Sequence, residues 1–188
     1  MYLADYHVHS ACSPDGHQTM AQAAEAAVRQ GLRELCITDH VDTIHWGTLA
    51  PRDDFDWEES RRQFHEAQAL WGDRITLRRG AELGEAQLSF DRADRLLAGE
   101  ELDFVIGSVH LGEHMTFRRH MDRVEEIFRT IMPQGVGIEC NTNRGNEPLP
   151  GEEILRLYRS LGGEIITLGS DAHRPEDVGC FIRQRQEL

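Results

Sequence analysis

Six short apolar runs alternate with amphipathic stretches along the whole chain, and this alternation narrows the available folds more than any other feature. The runs are YLADYHV (2–8), ELCIT (34–38), ITLRRGAEL (75–83), FVIGSVH (104–110), VGIECN (136–141) and EIITLGS (164–170). Strands separated by helices in this way run parallel and are joined by right-handed crossovers. A barrel, a partly closed barrel and an open doubly wound sheet all satisfy the pattern. The 188 residues suit a single domain spanning 1–188, whereas a complete eight-unit barrel typically takes about 250 residues. No GxGxxG follows the first run, which disfavours a dinucleotide-binding sheet.

The helical stretches carry their own punctuation. TMAQAAEAAVRQG predicts a helix capped by Thr19 and stopped at Gly31. DDFDWEESRRQFHEAQALWG predicts a longer helix with Phe64 and Leu70 in the core, and DRADRLLAG a short one. MDRVEEIFRTIM is ended by Pro133 and Gly135, and PGEEILRLYRSLGG has Pro150 near its start. A last helix is expected to begin near Pro175.

Composition excludes some functions. A net charge of −13 disfavours nucleic acid as a partner, because such binding relies on Lys and Arg neutralising phosphates. No run approaches the length of a membrane span. MYLADYHVHS lacks the basic and apolar regions of a signal peptide, so a cytoplasmic location is expected. Cys12, Cys36, Cys140 and Cys180 form no CxxC and read as free thiols of a reducing compartment.

The polar residues at the run ends carry the chemistry. Side chains alternate along a strand, so His7 and His9 face the same way. Other runs end in Asp39-His40, Ala81-Glu82, His110, Asn141 and Asp171-Ala172-His173. In parallel α/β folds these C-terminal ends gather at one face, where sites are built. Imidazoles and carboxylates there form a nitrogen and oxygen ligand set for Zn, Mn or Fe. HxH alone is weak, and its joint placement with the other run ends is the signal. His45, His65 and His120 read as surface or satisfied histidines.

HVHS, TDH, GAELGE, IGSVH and GSDAH occur here in the order found in the polymerase and histidinol phosphatase (PHP) superfamily. GLRELCITDHVD, GIECNTN and LYRSLGGEIITLGSDAHRPEDVG resemble its monofunctional histidinol-phosphatase branch, over nearly the whole chain. The resemblance implies a distorted (β/α)7 TIM-like PHP barrel with two to three divalent metal ions at its C-terminal face. It implies that His7, His9, Glu82 and Asp171 hold one metal. Glu82 would bridge to a second, also held by His110 and a histidine of a later strand. Asp15, with His17 as the alternative, would hold a third together with His40 and His173. Catalytic roles would fall on Glu82, Asp171 and His173.

Relatives carry a longer segment between IGSVH and NTN, with an extra strand and helix and a GH-(L/F)-D motif. Here LGEHMTFRRHMDRVEEIFRTIMPQG stands in its place, and His114 aligns best with the missing histidine. The chain also reaches FIRQRQEL earlier than relatives end. These departures leave closure of the barrel open. Arg118, Arg119 and Arg144 match basic positions of relatives and would bind phosphate, since a guanidinium can fork two donors onto it. Glu85 and Asp42 are the candidates to meet the amine and imidazole of histidinol phosphate. The implied activity is a metal-dependent phosphomonoesterase acting on L-histidinol phosphate, a small phosphorylated metabolite of histidine biosynthesis. The alternatives are another PHP phosphoesterase, or a non-catalytic metal-binding module. An oligomer is compatible with the shortening.

Overall fold

A computed structural model describes residues 1–110 and 121–187. Its strands are β1 (Ala4–Val8), β2 (Glu34–Ile37), β3 (His40–Asp42), β4 (Thr76–Gly84), β5 (Phe104–Ser108), β6 (Ile138–Asn141) and β7 (Ile166–Gly169). The helices are α1 (Met20–Gln30), α2 (Trp57–Trp71), α3 (Phe90–Leu97), α4 (Met121–Ile131), α5 (Glu152–Ser160) and α6 (Ile182–Gln186).

All strand pairings are parallel. β1 pairs with β2, and β4 pairs with β2 and β3 along one edge and with β5 along the other. β2 and β3 therefore lie in one line, interrupted at Thr38 and Asp39. β6 pairs with β7. β7 reaches β1 through a bridge from Val8 to Ala172, with the Asp171 N–H donating to His7 O at 2.8 Å. The strands thus curl in the order β6, β7, β1, β2/β3, β4, β5. Among the described residues no ladder joins β5 to β6. The barrel expected from the sequence is present as a curled half-barrel, open along that seam.

Apolar side chains pack between the outer face of the sheet and the helices. Leu35, Ile37 and Leu77 meet Met20, Ala23, Ala24 and Ala27 of α1 and Ala67 of α2 in the largest cluster. Val41, Ala81 and Leu83 pack with Ala93 of α3, and Val124 and Phe128 of α4 with Ile154 and Tyr158 of α5. The strands' other parity faces inward. It carries His7, Glu82 and Glu139, so the interior is polar, while an irregularity in β1 leaves Asp5 opposite the outward Leu35.

Local signals mostly hold. Thr19 and Gln22 form a reciprocal capping box at α1, and Gly31 ends it in the left-handed region at φ 75°. Two expectations need correction. Leu70 is exposed rather than in the core, because α2 turns only Ser60, Gln63 and Ala67 fully inward. Pro175 opens a single 3-10 turn, and the last helix starts at Ile182, after Phe181 adopts a left-handed backbone. All four cysteines are free thiols. No helix among the described residues is long and apolar enough to cross a membrane.

A Cβ at Gly31 would meet nothing within 4 Å, so Gly31→Ala carries only the cost of the left-handed backbone. The expected loss is about 1–2 kcal/mol, read as a lower urea midpoint with an unchanged slope.

Candidate metal centre

Glu82 sits at the centre of the site. It is on β4, directly across from His40 of β3. Its Oε2 lies 2.9 Å from His40 Nδ1, 3.3 Å from His7 Nε2 and 3.4 Å from His9 Nε2. Its Oε1 lies 3.1 Å from Nε2 of His110, two residues beyond β5. Asp171 follows β7 and brings Oδ1 to 3.2 Å from His9 Nε2 and 3.5 Å from His7 Nε2. Asp15, in the loop after β1, places Oδ2 3.1 Å from His173 Nε2 and Oδ1 3.7 Å from His40 Nε2. The His9 ring stacks between those of His40 and His173, at centroid distances of 4.4 and 4.3 Å.

Two neighbours orient this set from behind. Glu139 of β6 holds His7 Nδ1 at 2.9 and 3.0 Å, so Nδ1 bears the proton and Nε2 offers its lone pair. The close approach requires Gly169, where a Cβ would come within 2.4 Å of His7 Cβ and 2.7 Å of Glu139 Oε1. His173 Nδ1 donates to the Asp171 carbonyl at 2.9 Å, leaving its Nε2 toward Asp15 in the same way.

The donor atoms fit divalent cations. His7 Nε2 and His9 Nε2 face each other at 3.0 Å. Glu82 Oε2, His40 Nδ1 and Asp15 Oδ1 are buried and lack a hydrogen-bond partner. Glu82 Oε2 and His40 Nδ1 are close but misaligned, so their lone pairs address a shared volume rather than each other. Three overlapping sets gather ligand atoms within 4.8 Å: His9, His40 and His173; His7, His9 and Glu82; His40, Glu82 and His110. Nitrogen and oxygen donors of this kind suit Zn, Mn or Fe.

The electrostatics follow from crowding. Burial pushes the Glu82 carboxyl upward, but the hydrogen bond from His110 and the close approach of the His40 and His7 rings outweigh it and hold the group well below the carboxylate range. Asp171 is likewise lowered, burial being overcome by His9, His7 and His173. His7 is raised because Glu139 and Glu82 overcome its burial, and His40 because Glu82 and Asp15 do. His110 is raised mainly by its bond to Glu82. His9 is lowered by burial, which the Asp171 contact does not offset.

The structure thus brings together His7, His9, Asp15, His40, Glu82, His110, Asp171 and His173. Between the two alternatives after β1, Asp15 faces the cluster, while the His17 side chain is exposed. Asp39 turns away, its carboxylate taken by Ser10 and Ser13. Asn141 joins at the margin, its Nδ2 donating to Asp171 Oδ2 at 3.4 Å. Arg144 is exposed in the 3-10 turn after β6. His114, Arg118 and Arg119 lie outside the described residues, as does His120.

The two carboxylates considered for the substrate's amine and imidazole lie deep. Asp42 is buried and paired with Arg52 at 3.1 Å, and Glu85 is fully buried, accepting from the His110 N–H and from Gln87. Two residues escaped the sequence reading. Glu139 shares parity with Asn141 on β6, a signal that was available. Trp46 has its ring 5.1 Å from that of His40 and 4.8 Å from that of His110. Nothing in its local sequence announces this.

Comparison with known proteins gives a consistent picture. A family model described as the PHP domain matches residues 5–124. A Thermotoga maritima protein named "Probable histidinol-phosphatase" is 28% identical, with 97% of this chain and 89% of the relative covered. That alignment spans 218 positions against 188 residues here, so the relative carries segments this chain lacks. The histidinol-phosphatase of Lactococcus lactis is 24% identical, over 92% of this chain and 85% of its own length. A crystal structure of the histidinol phosphate phosphatase from Lactococcus lactis, complexed with zinc, L-histidinol and phosphate, superposes with a TM-score of 0.79. It is 20% identical and covers 97% of this chain and 93% of its own. At that identity the likeness shows the fold.

The histidine shifts give stability a definite pH dependence. His7, His40 and His110 are raised above 6.5, so their contribution is full below that value and is lost as pH rises through their folded values. His9, lowered, opposes them alone. Glu82 and Asp171 are lowered from 4.5 and 3.8, so theirs is full above those values and is lost only in strong acid. Chelator-treated protein should lose thermal stability as pH rises from about 6.5 into the alkaline range. Added Zn or Mn should stabilise it increasingly over the same interval, because metal uptake displaces protons. Melting temperatures with and without metal measure both trends. A metal-free Tm that climbs over that interval would contradict the pairing of these histidines with Glu82.

Proposed function

The chain belongs to the PHP domain family, and on that premise we propose that it is a metal-dependent phosphomonoesterase converting L-histidinol phosphate to L-histidinol and phosphate. The observation that carries this reading is the buried Glu82 carboxylate, ringed by four histidines and flanked by Asp171. The proposed ligands are His7, His9, Asp15, His40, Glu82, His110, Asp171 and His173, with His114 added from the sequence. Zinc in the Lactococcus lactis structure supports Zn, with Mn or Fe compatible with the same donors. Two to three such ions supply, when bound, the positive charge that stabilises a phosphoryl transition state and the acidity that makes water nucleophilic near neutrality.

The protein's own groups divide the remaining work. Glu82, His7 and His9 form a closed floor, with side chains at most 5% exposed. Asp15 and Asp171 are 45% and 43% exposed. Phosphate approaches from that rim, where His173 and His110 are also partly open. Trp46 covers the His40 and His110 rings, excludes water from that side and offers an aromatic surface to the leaving alcohol. Arg118, Arg119 and Arg144 are the proposed phosphate-binding cations. Glu82, Asp171 and His173 are the proposed catalytic residues, acting by holding charge at the reacting centre.

The buried state of Glu85 and Asp42 favours a second reading. Without them the recognition of an amine and an imidazole is unassigned, so another small phosphate ester is compatible with the same chemistry.

Phosphate release from L-histidinol phosphate by the Mn- or Zn-loaded protein, set beside a panel of sugar phosphates and nucleotides, tests both readings. The expected result is preferential release from L-histidinol phosphate. His9→Ala should lower kcat/KM by more than the about 10- to 100-fold typical of losing a group outside the ligand set. Preference for another ester would move the assignment to the second reading. No release by fully metallated protein from any of them would sink the phosphatase assignment.

A further inference from the structure

Ser13 lies in the turn after β1 and is buried. Its hydroxyl meets three partners. The Asp39 carboxylate lies 2.8 Å away at Oδ1, the His40 backbone N–H donates to Ser13 Oγ at 2.9 Å, and His9 Nδ1 lies at 3.2 Å. Asp39 is itself fixed, because its carboxylate also accepts from the Ser10 N–H at 2.6 Å and the Ser10 hydroxyl at 2.7 Å.

Proton counting then leaves one arrangement. A hydroxyl has a single proton and two lone pairs. The Asp39 carboxylate only accepts, so Ser13 must donate to it. If Ser13 donated to His9 instead, two oxygens would stand 2.8 Å apart with no proton between them. The His40 N–H is an obligate donor and takes one lone pair of Ser13 Oγ. The remaining lone pair faces His9 Nδ1, which must therefore carry the proton.

We propose that Ser13, held by Asp39, is a positioning residue that keeps the proton of His9 on Nδ1 and so presents Nε2 as a lone-pair donor to the metal cluster. The inference rests on the divalent-metal reading above and deepens it. The same hydroxyl ties the His40 backbone to the His9 ring. One oxygen thereby joins the strand that supplies two imidazoles to the junction of β2 and β3 that supplies a third. It also gives Asp39 of the TDH sequence its work. That carboxylate lies outside the ligand set and acts on it through Ser13. His9 is the histidine for which this matters most, since its Nε2 lies within 3.5 Å of His7, Glu82 and Asp171 together. A proton on that nitrogen would stand in the shared volume.

The test uses full-length protein with ¹⁵N-labelled histidine, as isolated and after loading with zinc, at about pH 8, above the ordinary histidine value. Long-range proton–nitrogen correlations report which ring nitrogen of His9 is protonated. Wild type should show the proton on Nδ1 in both states. Ser13→Ala should lose that preference in the isolated protein and bind zinc about 10- to 100-fold more weakly by calorimetry. A structural role for Ser13 alone would leave the His9 tautomer unmoved. A wild-type His9 protonated on Nε2, or a folded Ser13→Ala with wild-type zinc affinity, would overturn the inference. The wild-type spectrum needs no variant, so it decides even if Ser13→Ala does not fold. Failure of the wild type to take up zinc, Mn or Fe would count against the metal reading instead, and the tautomer measurement would still stand by itself.

Discussion

The arrangement depends on one buried carboxylate. Removing an ion from water costs several kcal/mol even after relaxation, and Glu82 is buried on β4 with four histidines around it. Those histidines arrive on β1, β3 and the end of β5, so the carboxylate is compensated only when three strands are in register with β4. The pairing of His40 opposite Glu82 is one such register. A shift by one residue would turn Glu82 outward into the apolar layer and bring Ala81 or Leu83 to the site. The charge thus does for the interior what apolar packing does outside: it makes one alignment of the strands much better than its neighbours.

This division explains the composition of the strands. Their outward parity carries the stabilising apolar area against α1, α2, α4 and α5, while the inward parity is given to His7, Glu82 and Glu139. Asp5 lies instead opposite the outward Leu35, and buried there it needs partners just as much. Its carboxyl is fully buried and raised by burial, yet it accepts from Ser170 N and Oγ and from Gly179 N. Those bonds hold the loop from which Asp171 and His173 project. The seam between β5 and β6 is where the division weakens. Val105 of β5, Val136 before β6, and Ile165 and Ile166 at β7 are all exposed.

Much of this was legible in the sequence because local rules govern it. Period-two alternation placed His7 and His9 on one face, and Thr19 and Gly31 marked both ends of α1. The run ends located the site, since parallel strands bring those ends together whatever the details. What escaped involves partners far apart in sequence. Glu139 meets His7 across 132 positions, and nothing near either residue specifies that meeting. TDH reads as two equivalent polar residues, yet the break between β2 and β3 sends Asp39 to Ser10 and Ser13 and leaves His40 on the cluster. Leu70 failed for a simpler reason. Helical periodicity selects a stripe, and the stripe on α2 is narrow, filled by Ser60, Gln63 and Ala67. Glu85 and Asp42 sat at motif ends, but position along the chain says nothing of depth, and both are buried.

Depth also bears on how an acidic chain could take an anionic ester. With a net charge of −13, long-range attraction works against a phosphate, most strongly at low salt where the field extends furthest. The rim repeats the problem locally, because Asp15 and Asp171 are its most exposed ligand-like groups and both are carboxylates. Those rim carboxylates work against the substrate class that the proposed activity requires. Cations held on the floor reverse this, since Glu82, His7 and His9 lie directly beneath the rim and the rim carboxylates would share in holding them. On this reading the acidic groups are not opposed to phosphate binding. They are what concentrates positive charge at the one place on an acidic surface where a phosphate can approach.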